Sequence, residues 1–319
     1  MLSASAWRSQ LARWPAGHRM KGMARPLVLV CSSVLALTGI VCTADLPPPP
    51  GLPPLIGQLT TQAARFWNTA PSWYCRETLR QSGPPVVKPA HHGIHFSQPT
   101  KLNLAEVVHR EIVSWYGFSS YKENPEAVHE LRQVVSVDGK PAAHAQSADK
   151  FRKLLLGHDD DAKEELIKKF QTATMSDAPL DFGQLVMLFT RRAVDRFTFR
   201  LKGPDLIGAQ RVTVFDYEQN GGGAALHLDD DTTLPLEGTV GLRDADGAPM
   251  RITVVAVRKN NNVEIRDEAE VDYSEVVHGA ILPAALVHRR FVSGTLRAED
   301  RAQYTDWKPV GEAKAGTAK

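Results

Sequence analysis

One stretch late in the chain constrains the fold more than any other. Val263, Ile265, Ala269, Val271 and Tyr273 alternate with Glu264, Arg266, Glu268, Glu270 and Asp272, and only Asp267 breaks the apolar side. Such period-two alternation describes a strand with one face buried and one in water; a helix would scatter the same side chains around its axis. Sheets that are wet on one side are antiparallel, because parallel strands carry helices on both faces.

The signature recurs. Phe197, Phe199 and Leu201 alternate with Arg196, Thr198 and Arg200, and residues 212–217 form another strand. Residues 238–244 and 250–258 flank Asp246-Gly247, a hairpin dipeptide. Residues 72–80 end at Ser82-Gly83-Pro84-Pro85, and 131–137 run into Asp138-Gly139-Lys140-Pro141. Residues 282–292 and 302–307 read as two last strands, whereas 102–121 fits either strand or helix. Helical spacing is confined to residues 55–68 and to a central block. Within that block, 148–156 and 159–171 are two helices, the second opening on Asp159-Asp160-Asp161, whose carboxylates suit free N–H groups. A third helix is expected from Asp181 to about Val194, with Phe182, Leu185, Val186, Phe189 and Ala193 on one stripe. The expected class is therefore α+β: a long antiparallel sheet with helices packed against it.

The N-terminal part is of another kind. Arg8, Arg13, Arg19, Lys21 and Arg25 precede an apolar run from 27 to 41 and then Cys42-Thr43-Ala44, with no acidic residue before Asp45. Basic, apolar and small-residue regions in that order make residues 1–44 a signal peptide, and the run is short for a membrane span. Val41 before Cys42 argues against lipid attachment. The expected location is the periplasm or the outside of the cell. Net charge is +2; less the leader's five cations, the remainder carries −3, so no nucleic-acid surface is expected. Two of the three cysteines fall in the leader, leaving Cys75 without an internal disulfide partner. Residues 45–70 comprise a proline-rich linker and a short helix, 71–310 one domain, and 311–319 a small polar tail expected to be disordered.

Short catalytic motifs give little: the chain has no Gly-x-Ser-x-Gly and no His-Glu-x-x-His. His91, His92 and His95 could hold a metal ion, yet they lie in a Pro- and Gly-rich loop without a nearby acid. Asp229-Asp230-Asp231 lacks the spacing of a calcium loop, and Gly221-Gly222-Gly223 is followed by no Lys-Ser/Thr. No catalytic residue, metal or cofactor is expected, and a metal-dependent hydrolase using the 91–95 loop is the enzymatic alternative.

Several longer patterns carry a resemblance. They are Trp73-Tyr74-Cys75-Arg76-Glu77-Thr78, the turn 137–141, the helix 182–189 ahead of Arg196-Phe197-Thr198-Phe199, the strand 266–273, Gly279-Ala280-Ile281-Leu282-Pro283-Ala284 and Tyr304-Thr305-Asp306-Trp307. In this order they resemble a group of secreted bacterial proteins and, in fold, the LolA- and LolB-type lipoprotein carriers. The resemblance implies a half-barrel: a curved antiparallel sheet wrapped around helices, with an apolar concave cavity and no catalytic residues. It implies an exported binding protein, a monomer holding a lipid or a lipidated partner; a structural or cell-surface role is the alternative. Phe197, Phe199, Val212, Val214, Val263, Ile265, Val271 and Tyr273 are the candidate ligand-binding face.

Overall fold

A computed structural model describes residues 51–84, 107–122, 128–143, 145–175, 181–220, 226–227, 233–260, 263–275 and 279–311. The signal peptide, the histidine loop 91–95, the Gly221–Gly223 and Asp229–Asp231 segments and the tail from 312 lie outside them. Among the described residues no helix is long and apolar enough to cross a membrane.

The strands are β1 (Trp73–Gly83), β2 (Val108–Ser119), β3 (His129–Val137), β4 (Lys140–Pro141), β5 (Phe197–Ile207), β6 (Gln210–Gln219), β7 (Leu226–His227), β8 (Thr233–Leu234), β9 (Glu237–Arg243), β10 (Pro249–Asn260), β11 (Val263–Glu275), β12 (Ile281–Val292) and β13 (Thr295–Pro309). Eleven of them form one open sheet in the order β4-β3-β2-β1-β13-β12-β11-β10-β9-β6-β5, and β7 pairs with β8 alone. Every pairing is antiparallel, as the alternation implies, and one open sheet with helices packed against it matches the half-barrel that the resemblance implies. The ambiguous stretch 102–121 contributes β2. Strand β13 begins seven residues earlier than expected: β12 holds residues 295–298 extended, and from Glu299 onward β1 pairs on the other side as well.

Turn chemistry sets the register. Asp138 and Gly139 take φ of 50° and 75°, a left-handed pair that reverses β3 into β4. Gly247 has φ 65°, and a side chain there would meet Gln58 at 2.4 Å. The β9–β10 turn can therefore sit against helix α1 (Pro54–Thr69), where Gln62 Nε2 also donates to the Asp246 carbonyl at 3.2 Å.

Helix α1 buries Ile56, Leu59, Ala63 and Phe66 on the concave face. Helices α2 (Ala148–Leu156) and α3 (Asp160–Ala173) open on Ser147 and Asp159, whose side chains accept from Lys150 and Ala162 N–H groups. Leu155 of α2 packs on Gly117 and Tyr74, on the outer side of β1 and β2, while Phe170 of α3 reaches Arg132 on the inner side. The helical pair thus straddles the β3 edge, which accounts for the six buried residues that open β3.

The expected third helix is corrected. Phe182–Phe189 is a 3₁₀ segment, kinked at Gln184 (φ −103°, ψ 23°) and preceded by Asp181 at φ 62°. Val194–Arg196 is a separate 3₁₀ turn. Contacts with the sheet set this backbone: the Val186 N–H donates to Tyr273 Oη at 3.2 Å, which a continuous α-helix would have used internally. With α1, this segment roofs the concave face.

Candidate functional site

Strand register builds the concave face from rows of facing side chains. One row runs Phe215–Val240–Ile252–Val271–Leu286–Ala302–Leu79–Ile112, one residue from each of eight neighbouring strands, and all eight are buried. On β5 the same row continues onto Leu201, which is 64% exposed. The roof therefore stops short of the β5 end. There Phe189, Phe197, Phe199 and Tyr217 form an aromatic group with ring centroids 5.0–6.5 Å apart.

On either side of the apolar row the face turns polar. Toward the β1–β3 end, Arg132 donates from Nε to both oxygens of Glu77 at 2.9 Å, and its Nη2 lies 2.8 Å from Glu130 Oε2. Its guanidinium is sandwiched by the Tyr116 and Phe170 rings, each 4.9 Å away. All three charged side chains are at most 2% exposed. Burial pushes the Glu77 carboxyl up although Arg132 and the Tyr304 hydroxyl oppose it. Burial, helped by Asp181 and Glu77, pushes Glu130 up to about 7 against the pull of Arg132.

A second group lies toward the β10–β11 and β12–β13 turns. His288 is held between Asp300, 3.0 Å from Nδ1, and Asp267, 3.2 Å from Nε2. Arg290 donates to Asp267 and Gln81 to Asp300, while Phe182 stacks on the imidazole at 5.3 Å. Burial alone would lower the His288 pKa, but the two carboxylates hold it above its ordinary value. Both ring nitrogens are engaged, so the imidazole ties the Asp267 and Asp300 carboxylates of the two neighbouring strands together. Cys75 is buried, and burial raises its thiol well above the usual range, which keeps it out of nucleophilic chemistry. No group of three or more His, Cys, Asp or Glu side chains arranged to hold a metal exists among the described residues.

The eight predicted face residues fall into three environments. Phe197, Val271 and Tyr273 are buried on the concave face beneath the roof, with Phe199 half-buried beside them. Val263 is exposed and Ile265 half-buried at the β10–β11 turn, away from the aromatic group. Val212 and Val214 belong to the outer side: they share a parity with Asp216, which pairs with Arg200, whereas Phe215 and Tyr217 point inward. The buried charges were not among the expected residues. Their signal was an ionisable residue at an inward position of an apolar strand, as with Glu77 between Cys75 and Leu79, and Asp267 on the apolar side of β11.

No protein-family model matches the chain, and no curated protein matches it by sequence. Among solved structures it is similar to an outer membrane lipoprotein-sorting protein domain from Vibrio parahaemolyticus, at 8% identity over 82% of this chain and 94% of that one, with TM-score 0.33. It is likewise similar to a DUF1329 family protein from Desulfovibrio piger, at 9% identity over 82% and 95%, with TM-score 0.33. A third is the Pseudomonas aeruginosa MucA/MucB complex, at 11% identity over 79% and 98%, with TM-score 0.20.

Proposed function

We propose that this chain is an exported envelope binding protein that takes an apolar chain, a lipid or the acyl group of a lipidated partner, at the β5 end of its concave face. One observation carries the reading. The apolar row that is buried from β2 to β6 emerges on β5 as Leu201, 64% exposed, beside half-buried Phe199 and the Phe197 ring. Covering such a surface brings roughly 25 cal/mol per Å² of apolar area removed from water. Phe199 and Leu201 form the mouth; Phe197, Val271 and Tyr273 lie deeper and are reached only if the roof lifts. Export rests on the leader at residues 1–44, and the chain acts as a monomer without a cofactor.

The test is direct. Protein purified from a cell envelope is extracted with organic solvent and the extract analysed by mass spectrometry, and the emptied protein is titrated with a fluorescent fatty acid. A copurifying lipid, and binding that falls at least tenfold in Leu201→Asp but not in Leu296→Asp (another exposed strand leucine), supports the reading. An empty protein that does not bind the probe, or equal binding by both variants, overturns it.

A further inference from the structure

The roof is tied to the sheet through the buried charges. Asp181, the residue that starts the roof segment, donates its N–H to Glu130 Oε2 at 3.1 Å, and Glu130 returns its own N–H to Asp181 Oδ1 at 3.0 Å. This reciprocal pair holds Asp181 at φ 62°, a left-handed conformation that side chains other than Asn and Asp rarely adopt. Two residues on, the backbone of Gly183 runs so close to the cluster that a Cβ there would sit 2.5 Å from Tyr116 Oη and 2.6 Å from Glu130 Oε1. Glu130 Oε1 makes no well-aligned hydrogen bond, which leaves it free to carry a proton while Oε2 continues to accept from Asp181 and Arg132.

We propose that Glu130 and Asp181 form a proton-operated latch, closed over the concave face when Glu130 is neutral and weakened when it is ionised. The groups facing Glu130 give the direction. Among the described residues Arg132 on β3 is the cation that faces it; against it stand Glu77 on β1 and Asp181 at the roof, with Cys75 on β1, Tyr116 on β2, Tyr273 on β11 and Tyr304 on β13 completing the wall. Ionised Glu130 adds a third carboxylate charge to one guanidinium in a dry site. The neutral form removes that excess and loses none of the bonds to Asp181. The closed state holds the proton with a pKa of about 7, against an ordinary value of 4.5 once the roof lifts and water enters. Each unit of that difference is a factor of ten, so closure weakens by roughly a hundredfold between pH 5 and pH 8. The latch closes the face on which the proposed cargo sits, but it requires no cargo.

Hydrogen exchange on the ligand-free protein tests it. Amide protection across 182–189, corrected for the intrinsic rate, is followed from pH 5 to pH 8, with the Val186 amide as reporter and the β11 amides as reference. Protection of the segment is expected to fall by roughly a hundredfold while β11 changes far less, and Glu130→Gln is expected to flatten the profile. A wild-type profile in which the segment and β11 fall in step overturns the proposal without any variant. A folded Glu130→Gln protein that keeps the wild-type pH dependence overturns it as well. Asp181→Asn, which keeps the side-chain acceptor but not the charge that favours neutral Glu130, is expected to shift the fall to lower pH; an unchanged midpoint counts against the latch.

Discussion

Replacing Arg132 by Met should expose how the concave face tolerates its charges. Methionine keeps much of the apolar stem between the Tyr116 and Phe170 rings and removes the three bonds to Glu77 and Glu130. Glu77, 1% exposed, then has no cation and is neutral in the folded protein, while in the unfolded chain it ionises with its ordinary value of 4.5. At pH 7.5 that mismatch spans three pH units, about 4 kcal/mol, in line with the roughly 3–5 kcal/mol lost when one partner of a buried ion pair is removed. At pH 5 it spans half a unit, and the loss shrinks to about 1 kcal/mol. Urea denaturation followed by tryptophan fluorescence at the two pH values measures both numbers. Adding Glu77→Leu to the Arg132→Met background should recover most of the loss at pH 7.5, since an apolar pair of similar volume replaces a stranded charge. An equal loss at both pH values, or one below about 1 kcal/mol at pH 7.5, would refute the reasoning.

Other outcomes follow from the same geometry. The His288 imidazole, followed by NMR, should titrate above its ordinary 6.5, because Asp267 and Asp300 outweigh its burial. Since its folded pKa is the higher one, its contribution to stability is complete below about pH 6.5 and fades as pH rises through the folded value; a midpoint below 6.5 would contradict this. Gly183→Ala, with its Cβ forced against Tyr116 and Glu130, should cost roughly 1–3 kcal/mol in thermal or urea unfolding, and a neutral result would mean that the roof backbone moves freely. Asp159→Ala removes the acceptor for the Ala162 N–H and should cost about 1 kcal/mol by the same measurement.

The sheet was legible because its signal is local and repeated. In β11 every second side chain declares its face, and dipeptides such as Asp138-Gly139 and Asp246-Gly247 declare where the chain reverses. The roof was not legible, because Phe182, Leu185, Val186 and Phe189 have helical spacing whether the backbone is α or 3₁₀. What decides between them is Tyr273, 87 residues away from Val186 in the chain, and Glu130, 51 residues from Asp181. The first half of β13 was missed for a related reason: Thr295-Leu296-Arg297-Ala298-Glu299-Asp300 has little alternation of its own and is held extended by β12, joined by β1 only from Glu299. Val212 and Val214 read as a face because they are apolar, yet their parity with Asp216 sends them outward. The charged cluster was half visible, since Asp267 stood out on its strand, but its partner His288 lies on the next strand and its meaning comes only from the register.

The place of β13 between β12 and β1 bears on how the molecule is born. The strand formed last in the chain is the central seam that joins the early strands to the late ones, with Trp73 opposite Pro309 and Ser82 opposite Glu299. Until it arrives, β1 and β12 each present a row of unpaired N–H and C=O groups, and the early and late sheets have no strand in common. Such distant pairing is slow to form. A nascent copy therefore stays incomplete until the fifteen residues of β13 are available, which makes the interval before closure the one in which an escort that shields strand edges has most to offer.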